Sequence, residues 1–182
     1  MAYNIGLLQA RGKLITICDS DAVFPYEFIQ SILNNYFSVN EEVDNSSLNP
    51  IPLVLMHHEW RTHHLYPDGL TELSDLNKFK WLDLWPNAGA CMTVRRADSL
   101  KFGGFDEHKS FRGYICGPYD LGWRLVNAGL EGKWQNESIA LYHFAHPDPP
   151  GTILNMFSWK RWREVKYPHV DYHALTSVEA FS

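Results

Sequence analysis

From residue 13 onward the chain alternates short apolar runs with segments whose apolar residues recur every three or four positions. "KLITIC" (13–18) is a near-continuous run of β-forming residues, the pattern of a strand buried on both faces. Pro25 sits where a first helical turn tolerates it. After it Phe28, Ile29, Ile32, Leu33, Tyr36 and Phe37 fall at helical spacing, which predicts an amphipathic helix over 25–37. "VNEEVDNSSLNP" (39–50) is polar, ends in turn formers and predicts a surface loop. "IPLVLMH" (51–57) and "GACMTVRR" (89–96) predict two more strands, and "SIALYHFAH" (138–146) a last one that runs into histidines. In "YDLGWRLVNAGL" (119–130), Leu121, Leu125 and Ala128 share a helical face and Gly129 is placed as a C-terminal cap. The span 57–87, "HHEWRTHHLYPDGLTELSDLNKFKWLDLWPN", keeps neither period and predicts a long, partly helical excursion. Strands alternating with helices predict an α/β domain.

Composition narrows the class. A chain of 182 residues predicts one domain, with a core over about 1–150 and a tail over 151–182 packing on it. Hydrophobic residues at 45% and aromatics at 14% exclude a disordered chain. A net charge of −5 lacks the basic footprint that nucleic acid requires. No apolar stretch approaches a membrane span, and "MAYNIGLLQARGK" does not have the plan of a signal peptide. The three cysteines, Cys18, Cys91 and Cys116, are odd in number and widely spaced, which predicts reduced thiols in the cytoplasm.

The chemistry is concentrated where the first strand stops. "ITICDSDAVFP" ends an apolar run on Asp19 and Asp21, two carboxylates that repel one another unless a cation lies between them. Mg²⁺ or Mn²⁺ would suit them, since such ions favour oxygen ligands and complete their shells with water and substrate phosphates. A turn-forming or helix-capping role is the alternative. In open α/β sheets ligands collect at the carboxyl ends of strands, where His143 also falls. His57, His58, His63 and His64 in "HHEWRTHH" have no cysteine pair beside them, so surface or pocket-lining positions compete with a zinc site. His143 and His146 face opposite sides of a strand unless the strand ends between them.

The ordered blocks "NIGLLQARGKLITICDSDAVFPYEFI", "GACMTVRRADSLKFGGFDEH", "DLGWRLVNAGL" and "LYHFAH" resemble the nucleotide-sugar glycosyltransferases of the A-type fold, close to family 2. The matching positions are Asn4, Ala10, Gly12, Asp19, Asp21, Gly103, Gly104, Phe105, Asp106, Glu107, Asp120, Leu121, Arg124 and His143, within roughly 4–146. The resemblance implies a partial A-type, Rossmann-like sheet with helices on both faces. It implies transfer of a sugar from a nucleoside diphosphate donor to a hydroxyl of a saccharide or lipid-linked acceptor. Asp19, Asp21 and His143 would hold Mn²⁺ or Mg²⁺ on the diphosphate, and Asn4 and Arg11 would touch the donor. Gly104, Asp106 and Glu107 would lie by the acceptor. Trp85, like Trp81 and Trp123, either stacks on a sugar ring there or packs in the core.

Two departures from the family pattern qualify this expectation. The first nucleotide-binding half is missing ahead of Asn4, which leaves a sheet edge for a preceding segment or a partner chain to complete. The family's Glu-Asp pair, which supplies the base, is replaced by "CGPYDLGWR". Asp120 is then the first of the remaining candidate bases, with an ion pair to Arg124 as its alternative role. Asp106 and Glu107 also qualify, although their glycines predict a tight turn. A catalytically inactive relative that binds saccharide or nucleotide is the competing function. The tail "ILNMFSWKRWREVKYP" (153–168), with Lys160, Arg161, Arg163 and Lys166, either rests on a membrane surface or packs Met156, Phe157 and Trp162 on the domain.

Overall fold

A computed structural model describes residues 2–37, 50–67, 72–107 and 116–146. The expected loop after residue 38 and the tail lie outside the described residues. In chain order the elements are α1 (Ala2–Gln9), β1 (Leu14–Cys18), β2 (Ala22–Val23), α2 (Phe28–Tyr36), β3 (Leu53–Met56) and β4 (His58–Leu65). After a 3-10 segment (Leu73–Lys78) come β5 (Leu84–Pro86), β6 (Cys91–Arg95), α3 (Arg96–Lys101), α4 (Cys116–Asn127) and β7 (Glu131–Trp134). A 3-10 turn (Glu137–Ile139) then leads into β8 (Leu141–Ala145). The protein is α/β, and its strands form two four-stranded sheets, β1-β6-β3-β7 and β2-β8-β4-β5.

Where a single Rossmann-like sheet was expected there are two, and both are mixed. In the first sheet β3 and β7 run parallel, while β6 is antiparallel to both β1 and β3. The second sheet is also mixed, with β4 parallel to β8 and antiparallel to β5. The strand β6 runs against its neighbours because it returns from the second sheet through a tight turn over 87–90.

Helices cover both faces of the first sheet. On one side Leu121 and Leu125 of α4 pack on Val54, Met92 and Val94, all with no solvent exposure. On the other, Phe28, Ile32 and Tyr36 of α2 pack on Leu53, Leu55 and Cys91. Each such side chain contributes about 1.5–3 kcal/mol by leaving water. The Tyr36 hydroxyl donates toward the carbonyls of Leu53 (2.9 Å) and Thr93 (2.6 Å), which fixes α2 over the centre of the sheet. The buried stripe of α2 is narrower than its periodicity suggests, since Ile29 and Leu33 are exposed.

The helix α4 stops where Gly129 was expected to cap it. Gly129 has φ +98°, and the amides of Gly129 and Leu130 close back on the carbonyls of Val126 (3.0 Å) and Leu125 (3.1 Å). Ala128, expected on the buried face, is exposed, and Arg124 takes the buried position instead.

The span 57–87 is partly helical through the 3-10 segment Leu73–Lys78, and it also supplies β4 and β5 of the second sheet, which its lack of period did not announce. One face of that sheet carries aromatics. Trp81 lies 4.8 Å from Tyr142 and 5.2 Å from Phe144, and Phe79 lies 5.0 Å from Phe144, ring centre to ring centre. The other face carries Glu59, Arg61 and His143, with Arg61 opposite His143 in register. No helix among the described residues is long and apolar enough to cross a membrane.

Candidate functional site

Three connections leave the first sheet for the second at the same end, from β1 to β2, from β3 to β4 and from β7 to β8. The strands β1, β3 and β7 run in one direction, so this end is their carboxyl end. Asp19 and Asp21 lie in the first connection, and His57 lies in the second. Such ends leave backbone groups and side chains free to face a ligand.

Asp21 is the centre of the cluster that results. Its Oδ2 lies 3.1 Å from His143 Nε2 and 3.2 Å from His146 Nε2. The strand β8 ends at Ala145, so His146 is released from alternation and its ring comes to 5.5 Å from that of His143. One ligand atom from each of Asp21, His143 and His146 lies within 4.8 Å of the others, close enough that the three could hold a metal ion. Beside Asp21 and His146 a groove of about 340 Å³ opens, reached also by Ser20 and Tyr66. Asp19 lies outside the group of close ligand atoms and feels it electrostatically. Burial, followed by the charge of Asp21, pushes the Asp19 carboxyl up to about 6, against the partial relief of His143 and His146.

Behind His143 stands Glu59, only 1% exposed. Its Oε1 accepts from Asn87 Nδ2 (3.0 Å) and from the Arg61 guanidinium, and its Oε2 lies 3.7 Å from His143 Nδ1. Tyr119 donates to Asn87 Oδ1 (2.9 Å), so α4 reaches this network through one hydroxyl. Burial works against the Glu59 charge, but the contacts with His143, Asn87 and Arg61 outweigh it and hold the carboxyl below its usual range. The contact with Glu59 is the main cause that raises His143, opposed by burial and helped by the charges of Glu59 and Asp21. Trp85, 49% exposed, pairs with Glu59 in register, and the Arg61 guanidinium carbon sits 5.4 Å from its ring centre.

The remaining candidates lie elsewhere. Asn4, 2% exposed, clamps the "GGFDE" turn: its Nδ2 donates to the Phe105 carbonyl (2.8 Å) and to Glu107 (2.9 Å), and its Oδ1 accepts the Phe105 amide (2.7 Å). That leaves its amide engaged by protein instead of facing a donor phosphate. Gly103 and Gly104 take φ of 82° and 65°, and Gly104 offers its carbonyl to Arg124. Asp106 is 7% exposed, and Arg11 is exposed. Asp120, 4% exposed, accepts from Arg124 Nε at 2.9 Å, the alternative role weighed for it. Trp81 belongs to the aromatic face and donates to the Leu76 carbonyl (2.9 Å).

The "HHEWRTHH" histidines do not converge. His58 packs 5.0 Å from Trp134, and His63 and His64 are exposed. His57 is fully buried, and burial holds it neutral, lowering it from 6.5 to about 4. The unfolded chain takes up the proton that folded His57 refuses, so stability falls as pH drops through that window, by about 3 kcal/mol at most. Asp19 acts with the opposite sign there. The contribution of His57 is therefore the difference between wild type and His57→Met in urea unfolding from pH 7 to 4. Wild type should lose the larger amount, and parallel curves would rule the effect out.

Sequence reasoning missed Glu59, Asn87 and Tyr119 and placed His146 second to His143. The sequence matches no family model and no curated protein.

Proposed function

We propose that this chain is a metal-dependent glycosyltransferase-like domain that takes a nucleoside diphosphate sugar as donor. The observation that carries the reading is the convergence of Asp21, His143 and His146 at the carboxyl end of parallel strands, beside an open groove. The residue order that resembles A-type glycosyltransferases supports it. Asp21, His143 and His146 would hold a divalent ion. Two imidazoles tilt the set away from Mg²⁺, which takes oxygen ligands almost exclusively, and toward Mn²⁺ and later first-row ions. When bound, the ion supplies charge neutralisation for a departing diphosphate.

The chain's own residues supply the rest. The half-exposed face of Trp85 presents a flat apolar platform to a sugar ring, and Arg61 beside it holds that indole in place. Asn4 and Arg124 both bond to the 103–107 turn that the resemblance places near the acceptor. One observation favours a second reading, a domain that binds the donor without turning it over. The Asp120 carboxylate is buried and paired with Arg124, so the first of the sequence's candidate bases is already engaged.

Hydrolysis of a panel of nucleotide sugars, with Mn²⁺, Mg²⁺, Zn²⁺ or Fe²⁺ and with EDTA, separates these readings. Turnover that needs a divalent ion supports the enzyme. Donor binding without turnover supports the binding domain, and a chain that neither turns over nor binds any donor, with or without an ion, overturns both.

A further inference from the structure

His143 lies between two carboxylates, with Nε2 at 3.1 Å from Asp21 and Nδ1 at 3.7 Å from Glu59 Oε2. Glu59 Oε2 is buried without a hydrogen-bond partner, although the rest of that side chain is held by Asn87 and Arg61. A carboxylate oxygen shut away from water and aimed at an imidazole is costly unless that imidazole donates to it. For Nε2 to offer a lone pair to a cation, the ring proton must be on Nδ1, the nitrogen that faces Glu59.

We propose that Glu59 is a positioning residue for His143: it accepts the Nδ1–H, fixes the tautomer whose Nε2 lone pair points toward Asp21 and His146, and so strengthens binding of a divalent cation. The inference rests on reading the Asp21–His143–His146 cluster as a metal site. The contact at 3.7 Å is within ion-pair range and longer than a hydrogen bond, so it shortens when Nε2 is engaged. Asn87 and Tyr119 serve as the backing that keeps Glu59 from turning away.

Two measurements test this without enzyme activity. Mn²⁺ affinity, read from the electron paramagnetic resonance of the free ion, should fall roughly 10- to 100-fold in Glu59→Gln. Long-range proton–nitrogen correlation of the Cd²⁺-loaded wild type should show His143 protonated on Nδ1 and ligated through Nε2, and this needs no variant to fold. Equal Mn²⁺ affinity in a folded Glu59→Gln, or ligation of His143 through Nδ1, overturns the role of Glu59 and leaves the metal site standing. A wild type that binds neither ion overturns the metal site, and the role of Glu59 falls with it.

Discussion

Arg124→Met should be among the most destabilising single changes in the described part of the chain, costing about 3–5 kcal/mol. The Arg124 side chain has no solvent exposure, and its three guanidinium nitrogens are all engaged. Nε donates to Asp120 at 2.9 Å, and the two terminal nitrogens donate to the carbonyls of Phe102 and Gly104. Methionine fills much of the volume yet takes the guanidinium away from a carboxylate whose own side chain is 6% exposed and from the carbonyls of Phe102 and Gly104. Lysine cannot replace it well, because one ammonium does not reproduce the planar fork that bridges a helix and a turn. For a chain of this length the melting temperature should drop on the order of 10 °C.

The companion change decides what Asp120 does. If its carboxylate serves Arg124, Asp120→Asn lowers the melting temperature and leaves Mn²⁺ affinity and donor turnover per folded molecule intact. Loss of turnover at unchanged stability would instead make Asp120 the base. Thermal melts and nucleotide-sugar hydrolysis on the same preparations read both.

The elements that were legible in the sequence are those whose burial is one-sided or complete. In α2, Phe28, Ile32 and Tyr36 repeat at four-residue spacing, and in α4 Leu121 and Leu125 do the same before a glycine that can take positive φ. The strand β6 is buried at Cys91, Met92, Thr93 and Val94, hence its continuous run. By contrast β7, "EGKW", is exposed throughout and is held by backbone pairing to β3, so no apolar pattern announces it. The strand β4 was lost for another reason. Its two faces carry aromatic packing and charged chemistry, and a strand with Glu59 and Arg61 on one side and Trp60 on the other does not look half-apolar.

The site divided along similar lines. Asp21 and His143 were legible because strand ends in an α/β sheet point to one rim, and the family resemblance marked both. His146 depended on where β8 stops, which ±2 residues of boundary error obscures. Glu59 was illegible because a carboxylate in a polar-looking stretch reads as solvated, whereas here it is 1% exposed, held by Asn87 and Arg61 beside His143. Asn4 shows the reverse: the motif position was visible, but not that both ends of its amide would be taken by the Phe105 backbone and Glu107.

Asp21→Ala and Asp19→Asn should behave as opposites, although the sequence presents the two aspartates as a pair. Asp21 supplies the single carboxylate of the cluster and touches both histidines, so its loss removes a ligand. Mn²⁺ affinity should then fall by more than about 100-fold, beyond what loss of a supporting residue costs. Asp19 supplies charge from nearby, and Asp19→Asn should weaken Mn²⁺ by about tenfold at most. Without metal, Asp19 carries a penalty. Its folded value of about 6 lies above its ordinary 3.8, so the native state holds the proton more tightly than the unfolded chain does. Ionised Asp19 therefore destabilises the protein above about pH 6, and the penalty fades as pH falls toward 3.8. Asp19→Asn should accordingly raise the metal-free melting temperature at pH 7.5 and lose that advantage by pH 4. Adding Mn²⁺ should shrink the gain at pH 7.5, because the ion offsets the same repulsion. Melts at both pH values, paired with Mn²⁺ titrations of the two variants, check this. Equal losses of Mn²⁺ affinity, or a larger loss in Asp19→Asn, would make Asp19 a ligand and displace Asp21 from the centre of the site.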